Sequence, residues 1–129
     1  MKKISVDFDS TLSELEVQDF VKKLIENGFV VYIITSRVDN KFAKEKNWWW
    51  IEKQNKQLFD VADSLGIDRD NIIFTQYIDK IEFIEDKNFI LHLDDDMDEI
   101  DLINKSIDPC MGIFKDPHGK WIEKCEKLC

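Results

Sequence analysis

An apolar strand that ends in two aspartates constrains this chain more than any other stretch. Ile4, Val6 and Phe8 form a short apolar run typical of a buried strand, and Asp7 and Asp9 stand where that strand ends. Side chains two positions apart start from the same face of a strand. Burying one carboxylate is costly, and a second beside it costs more. The pair therefore indicates a cation site or a catalytic site, with a plain polar turn as the alternative.

The rest of the chain alternates between predicted strands and helices. Further apolar runs predict strands near residues 29–34, 72–74, 89–93 and 110–114. Helical spacing predicts helices near residues 13–27, 48–65, 97–104 and 121–128, with a brief one inside 77–85. Such alternation implies a parallel sheet with right-handed crossovers. The predicted fold is α/β, a doubly wound Rossmann-like three-layer sandwich with a central parallel sheet of about five strands.

Length and composition predict one cytoplasmic domain spanning residues 1–129. A chain of 129 residues suits a single core. No apolar run approaches the ~18 residues of a membrane span, and the start lacks the apolar segment of a signal peptide. Cys110, Cys125 and Cys129 are three in number, which favours free thiols over a disulfide framework. A zinc site that joins these cysteines to His118 is the less favoured alternative.

The charge of the chain argues against a general DNA- or RNA-binding module and against binding to an extended duplex. The formal net charge is −9, and duplex binding depends on Lys and Arg side chains that displace counterions. A local basic pocket that grips one phosphate stays compatible with this charge.

Polar residues follow four of the predicted strands, where ligands bind in open parallel sheets. These are Asp7 with Asp9, the run Thr35-Ser36-Arg37, Lys80, and the run Asp94-Asp95-Asp96. Each feature alone is typical of a turn or a solvated surface. Together, in this order and at these strand ends, they predict one shared site.

This constellation resembles the haloacid dehalogenase superfamily of phosphohydrolases. The Asp-x-Asp-x-Thr pattern of that superfamily matches residues 7–11, and its strand ending in Thr or Ser matches Thr35. Its lysine matches Lys80, and its paired acids match Asp94 and Asp95. The resemblance covers the chain to about Glu99, and it departs at Ser10, where the superfamily usually has Gly.

The resemblance implies four catalytic roles. Asp7 would be the nucleophile that attacks phosphorus, and Asp9 would protonate the leaving oxygen and later activate water. Thr35 would bind a phosphate oxygen, and Lys80 would neutralise both the phosphate and the nucleophile. An Asp at position 9 favours prompt hydrolysis over a lasting phosphoenzyme, which implies a phosphatase.

The resemblance also implies a Mg²⁺ cofactor, which an all-oxygen acidic site suits. The expected ligands are Asp7, the backbone carbonyl of Asp9, and Asp95, with Asp94 nearby. The chain has more acids here than a site needs, so the choice among the following stays open: Asp94, Asp95, Asp96, Asp98 and Glu99.

The predicted site has no cap domain over it. A capping box at Ser13 and Glu16 predicts a helix almost directly after the first motif, and few residues separate the third strand from Lys80. An open site admits a phosphorylated small molecule or a polynucleotide end. Residues 33–37 and 93–96 are similar to the phosphatase half of polynucleotide kinase-phosphatases, which implies that Ser36 and Arg37 bind phosphate.

The run Trp48-Trp49-Trp50 and His92 have several interpretations. Three consecutive helical residues point about 100° apart, so the three tryptophans cannot all face one core. Partial exposure beside the sheet, stacking on a nucleobase and a homodimer contact all stay open. His92 falls in the buried fourth strand, which favours a hydrogen-bonded core residue over a catalyst.

Two other functions compete with the phosphatase. A receiver-type phospho-acceptor domain also gathers acids, a hydroxyl and a lysine, but its acceptor Asp follows strand three, and no Asp directly follows residues 72–74 here. A non-catalytic metal-binding or interaction protein, with the tryptophans as its contact, is the other alternative.

Overall fold

A single parallel sheet of five strands forms the centre of the protein. The computed structural model describes residues 2–129. The strands are β1 (Lys3–Val6), β2 (Val30–Thr35), β3 (Ile72–Phe74), β4 (Phe89–Asp94) and β5 (Met111–Phe114). Their order across the sheet is β3-β2-β1-β4-β5, and every neighbouring pair is parallel. The predicted Rossmann-like α/β class and the five strands are therefore confirmed.

Six α-helices in the described part of the chain connect and follow the strands. They are α1 (Leu15–Glu26), α2 (Asn40–Glu45), α3 (Trp50–Leu65), α4 (Ile81–Ile84), α5 (Met97–Lys105) and α6 (Lys120–Leu128). Within residues 2–129, no helix is both long enough and apolar enough to pass through a membrane.

The sequence does not predict helix α2, because residues 38–47 are mostly polar. Asp39 caps this helix, because its side chain accepts a hydrogen bond of 2.7 Å from the Phe42 amide. Ala43 is the buried residue of α2, so six residues with a single buried position offer little periodicity to detect. Asn47, with φ of +59°, ends this segment in the left-handed conformation.

The capping box predicted at Ser13 and Glu16 is wrong. Residues 8–12 form a tight turn directly after Asp7, in which Asp9 and Ser10 have non-helical backbone angles. The turn ends on Ser13, whose amide donates to the Phe8 carbonyl. The Ser13 hydroxyl accepts a hydrogen bond from the Ser10 amide instead of capping α1. Glu14 is the residue that precedes α1, and its side chain makes no capping bond.

Two apolar clusters fill the space between the sheet and the helices. The first joins β1 and β4 to residues of α1, α3 and α6, and Trp121 of α6 is fully buried in it. The ring of Phe20 meets the Trp121 ring edge-on, with centroids 5.3 Å apart. The second cluster contains Ile81 and Ile84 of α4 and Ile103 of α5.

The strand order brings the predicted motifs together. Central strand β1 lies between β2 and β4, and Val6 is in register with Ile33 and with Leu93. Parallel strands end at the same edge of a sheet. The residues after β1, β2 and β4 therefore meet at one rim, which is the carboxyl edge.

Candidate functional site

A buried ammonium group joins two strand ends at the carboxyl edge. Lys80 Nζ lies 2.8 Å from Asp7 Oδ1 and 2.6 Å from Asp94 Oδ2. Only 2% of the Lys80 surface is exposed. A buried lysine is tolerated when carboxylates pair with it. Although burial lowers the Lys80 pKa, Asp7 and Asp94 together raise it above its ordinary value, so the group is an ammonium.

Backbone contacts hold Lys80 in this position. It directly precedes α4, whose Ile81 and Ile84 are buried in the second apolar cluster. The Lys80 amide donates a hydrogen bond of 3.0 Å to Glu99 Oε2. Glu99, one of the acids considered as metal ligands, therefore contacts the lysine backbone, and burial raises its pKa.

Asp94 is fully buried, and both of its oxygens accept hydrogen bonds. Oδ2 accepts from Lys80 and lies 2.7 Å from His92 Nε2, while Oδ1 accepts from the Asp96 amide at 3.0 Å. Burial alone would raise the Asp94 pKa, but the hydrogen bond from His92 and the Lys80 ammonium hold it well below its usual range. Asp94 is thus a carboxylate that fixes its neighbours in place.

His92 continues this network into the core. Its Nδ1 lies 2.8 Å from Ser5 Oγ on neighbouring strand β1. Burial lowers the His92 pKa, so the ring is neutral. Its Nε2 donates a hydrogen bond to Asp94, and its Nδ1 accepts a hydrogen bond from the Ser5 hydroxyl. The prediction that His92 is a hydrogen-bonded core residue is confirmed. Ser5 is not among the residues that the sequence predicts for the site. A serine inside an apolar strand is the signal that could have indicated a buried hydrogen-bond partner.

Asp7 is the acidic residue of the site whose charged form is most disfavoured. It is 5% exposed, and burial together with the neighbouring Asp94 raises its pKa to about 8, against the lowering effect of Lys80. One ammonium is thus shared between two buried carboxyl groups, of which Asp7 keeps its proton up to about pH 8. The second oxygen of Asp7, Oδ2, lies 3.4 Å from the Thr11 hydroxyl, which is also 3.5 Å from Asp95 Oδ1. Because these two contacts are long, Asp7 Oδ2 and Asp95 Oδ1 can each accept further hydrogen bonds or bind a cation.

Three carboxylates at this edge have the geometry of a cation site. Asp7, Asp94 and Asp95 each offer one oxygen, and the three oxygens lie within 4.8 Å of one another. An all-oxygen set suits hard cations in general and is not specific to Mg²⁺. Asp94 is the most engaged of the three, because it accepts three short hydrogen bonds, whereas Asp7 accepts one from Lys80 and Asp95 makes only the long contact with Thr11. The Asp9 side chain is outside this cluster.

An open cavity of about 460 Å³ exposes the cluster to solvent. Its walls are formed by Asp7, Asp9, Ser10, Ser36, Lys80, Asp94, Asp95, Asp96 and Met97. Ser10 adopts the left-handed conformation with φ of +57°, a conformation that favours glycine. The turn at this position therefore forms with serine in place of the glycine that is usual in the resembled superfamily.

Asp9 and Arg37 are paired with each other. Arg37 Nε lies 2.9 Å from Asp9 Oδ2, and Nη2 lies 2.6 Å from Oδ1. Arg37 Nη1 donates to the Gln54 carbonyl at 2.7 Å, and the guanidinium carbon lies 5.0 Å from the centre of the Phe8 ring. Asp9, the predicted acid–base residue, and Arg37, the predicted phosphate-binding residue, are therefore bound to each other.

The hydroxyl run after β2 divides between the core and the cavity. Thr35 is fully buried, and its hydroxyl accepts a hydrogen bond of 3.2 Å from the Arg37 amide. Ser36 is the residue of this run that lines the cavity. A contact between Thr35 and a phosphate oxygen would thus have to be made through a covered hydroxyl, whereas Ser36 is accessible.

The surplus acids of the fourth motif have a structural role. Asp96 caps α5, and its Oδ1 accepts hydrogen bonds from the Asp98 amide at 3.0 Å and the Glu99 amide at 3.4 Å. Asp98 lies in the first turn of α5, where a negative side chain is favourable.

Trp48 and Trp49 lie between α2 and α3, Trp50 is the first residue of α3, and all three are partly exposed. Trp48 is half-buried, with its ring centroid 5.8 Å from that of Phe42. Trp50 is 44% exposed and Trp49 is 80% exposed. The expectation that they cannot all face one core is confirmed.

Comparison with known proteins does not assign this arrangement to a class. No model of a known protein family and no sequence of a curated protein matches the chain.

Proposed function

We propose that the protein is a Mg²⁺-dependent phosphatase of the haloacid dehalogenase superfamily that hydrolyses a phosphomonoester through an aspartyl-phosphate intermediate. The observation that carries the proposal is the Lys80 ammonium shared between Asp7 and Asp94 at an open acidic cavity. Phosphoryl transfer depends mostly on positioning and on charge stabilisation. A nucleophilic carboxylate beside a fixed ammonium group, within an acidic cluster that could hold a cation, meets both requirements.

Each step of the proposed reaction has a residue to perform it. Asp7 Oδ2, the oxygen that Lys80 does not bind, attacks phosphorus and forms an acyl phosphate while the ester oxygen leaves with a proton from Asp9. Water then attacks the acyl phosphate, Asp9 accepts its proton, and Asp7 is regenerated as inorganic phosphate departs. Lys80 offsets the negative charge of the nucleophile and of the transferred group throughout.

The donor set at the cavity fits the proposed Mg²⁺. Asp7 and Asp95 would hold the ion together with the Asp9 carbonyl, and Asp94 would position Lys80. When bound, the ion supplies positive charge that offsets the crowded carboxylates and the phosphoryl oxygens. The proton on Asp7 has to leave for the carboxylate to act, and neighbouring positive charge lowers the pKa of a carboxyl group.

We further propose that the sheet is doubly wound and that no cap covers the site. Supporting the first point, α1, α3 and α6 share one apolar cluster while α4 and α5 share another. Supporting the second, α1 begins at Leu15, and only residues 75–79 separate β3 from Lys80. An open cavity of this kind can accept a phosphate group that is attached to a large molecule.

The function is tested by p-nitrophenyl phosphate hydrolysis with and without Mg²⁺, in the wild type and in Asp7→Asn. The proposal expects Mg²⁺-dependent turnover that the substitution abolishes, while circular dichroism shows an intact fold. Asp101→Asn is the matched control, because Asp101 is an exposed acid on α5 and should leave turnover unchanged. Turnover retained by Asp7→Asn would end the proposal.

The two alternatives predict different outcomes of the same assays. A receiver-type domain would keep a lasting acyl phosphate after exposure to acetyl phosphate, and mass spectrometry would detect it. A non-catalytic metal-binding protein would be stabilised by Mg²⁺ and would hydrolyse no substrate in a broad phosphomonoester panel.

A further inference from the structure

A basic and aromatic surface stands beside the acidic cavity. Residues 41–56 contain five lysines, two glutamates and the three consecutive tryptophans, and so carry a net charge of +3 in a chain whose total is −9. All five lysines of this segment are exposed. They are Lys41, Lys44, Lys46, Lys53 and Lys56. Five of the 18 lysines and arginines of the protein thus lie in this one segment, together with the exposed aromatic rings.

The fold presents these rings at the carboxyl edge of the sheet. Helix α3 returns the chain from the end of β2 to the start of β3, so its first residue, Trp50, lies at the edge where the candidate site is. Trp50 precedes Gln54 by four residues, which is about one turn and 6 Å of rise on the same helix face. The Gln54 carbonyl binds Arg37, which binds Asp9 in the cavity wall. The aromatic surface is therefore connected to the cavity through a single side chain.

A built turn holds the tryptophans outward. The Trp48 amide donates to the Ala43 carbonyl at 2.8 Å, and Asn47 between them is in the left-handed conformation, as in a Schellman motif. Trp49 packs edge-on against Trp50, with ring centroids 5.8 Å apart. Trp49 nevertheless keeps 80% of its surface exposed. Rings that are held by a fixed turn and by each other lose little entropy when a ligand stacks on them.

A pocket whose walls suit a nucleobase lies beside these rings. A cavity of about 280 Å³ is lined by Ala43, Lys44, Asn47, Trp48, Trp49 and Glu52. Its walls combine aromatic faces with an ammonium group, an amide and a carboxylate. Lysines 41, 46 and 53 make no ion pair within residues 2–129, so their charge is available to phosphate groups.

We infer that the surface formed by residues 41–56 binds single-stranded nucleic acid and leads a phosphorylated strand end into the acidic cavity. Single strands are bound by aromatic side chains on which bases stack, together with lysines that follow the backbone. A duplex hides its base faces, and the strongly acidic remainder of the protein repels it. The binding part stands independently, and the delivery of a phosphorylated end rests on the proposed phosphatase activity.

The binding part is tested with a short, unphosphorylated, fluorescently labelled oligonucleotide in EDTA, so that no turnover is involved. Fluorescence anisotropy should report binding that weakens with salt. Tryptophan emission should also be quenched, and this change should come from the exposed tryptophans, since Trp121 is fully buried. DNA and RNA strands of one sequence are compared. Binding of either supports the surface, and the ratio of the two affinities identifies the preferred sugar.

Substitutions separate stacking from charge. Trp49→Ala and Trp50→Ala should each weaken binding at least about fivefold. The double reversal Lys41→Glu with Lys53→Glu should reduce the slope of log K against log salt by about 1.4 or more. Lys22→Glu with Lys105→Glu is the charge-matched control and Ile107→Ala the exposed apolar control, and both should bind the oligonucleotide like the wild type.

Three results would overturn the inference. One is the absence of salt-dependent binding in the wild type, and another is equal affinity for a duplex of the same sequence. The third is a homodimer that the Trp49→Ala and Trp50→Ala variants dissociate without any change in oligonucleotide affinity. In that case the rings form a contact between copies of this chain.

The delivery part is tested by comparing substrates on one enzyme preparation. With 3′- or 5′-phosphorylated oligonucleotides, the tryptophan variants should raise KM at least about fivefold while KM for p-nitrophenyl phosphate stays unchanged. Turnover of p-nitrophenyl phosphate with no effect of these variants on oligonucleotide KM would overturn delivery and leave the phosphatase intact. Oligonucleotide binding without any turnover would instead refute the phosphatase and leave the binding surface standing.

Discussion

Arg37 holds both carboxylate oxygens of Asp9, with nitrogen–oxygen distances of 2.9 and 2.6 Å. The same guanidinium reaches the Gln54 carbonyl of α3 with its remaining nitrogen. For Asp9 to reach a leaving group, or for Arg37 to grip a phosphate, this pair has to separate. The pair therefore couples the proposed acid–base residue to the helix that bears the exposed tryptophans.

Arg37→Lys should lower kcat/KM about tenfold or more, because an ammonium cannot hold Asp9 at two points and reach Gln54 at once. The measurement is steady-state hydrolysis of p-nitrophenyl phosphate. Arg69→Lys is the matched control, since Arg69 also contacts both oxygens of an aspartate, Asp63, at 3.3 and 2.9 Å on an exposed surface. An equal loss in both variants would remove the special role of Arg37.

Lys80→Met should destabilise the protein by about 3–5 kcal/mol, because it leaves the buried Asp94 carboxylate, and Asp7 wherever that group is ionised, without a counter-ion. Urea denaturation followed by circular dichroism measures the loss. Well above pH 8, where Asp7 is ionised, adding Asp7→Asn to Lys80→Met should recover part of that stability, since it removes one of the uncompensated charges. A double variant no more stable than Lys80→Met would contradict the shared-ammonium description.

The pH dependence of stability should report the raised pKa of Asp7. Between its ordinary value of 3.8 and about 8, the folded state keeps a proton on Asp7 that the unfolded state releases. Stability therefore falls as pH rises through this range and levels off above it. In EDTA, Asp7→Asn should melt higher than the wild type, by a margin that is small near pH 4 and largest above pH 8. A margin that is constant with pH would show that Asp7 ionises normally.

Cation binding should depend on Asp95 and not on Asp96. Mg²⁺ should raise the melting temperature of the wild type, since a ligand that binds only the folded state stabilises it. Asp95→Asn should lose most of this increase. Asp96→Ala should instead lower stability by about 0.5–2 kcal/mol, because it removes the cap of α5, and it should keep the increase with Mg²⁺. The reverse pattern would make Asp96 the ligand.

Ser5→Ala should cost about 1–3 kcal/mol, because it leaves the buried Nδ1 of His92 without a hydrogen-bond donor. Thermal or urea unfolding measures the change. Ser64→Ala is the control, because Ser64 is exposed and its hydroxyl bonds to the Val61 carbonyl within its own helix. A loss no greater than that of the control would show that Ser5 does not support the His92 ring.

Local signals were sufficient to predict most of the elements. The apolar run at residues 72–74 predicted β3 with its observed bounds, and the apolar face of α1 appeared at helical spacing. Where a signal was weak or shared, the prediction failed. Helix α2 has one buried position, and Ser13 carries a capping-box pattern although the turn at residues 8–12 already uses it.

The sequence by itself determined which strands form and that acidic, hydroxyl and ammonium groups follow them, because apolar periodicity and residue type are local properties of the chain. It did not determine how those groups pair. Lys80 bridges Asp7 and Asp94, Ser5 supports His92, and Arg37 binds Asp9. These pairings depend on strand order and on distances between residues far apart in the chain. Only the tertiary structure decided these contacts, because each is a choice among several charged or polar partners that the linear order leaves equivalent.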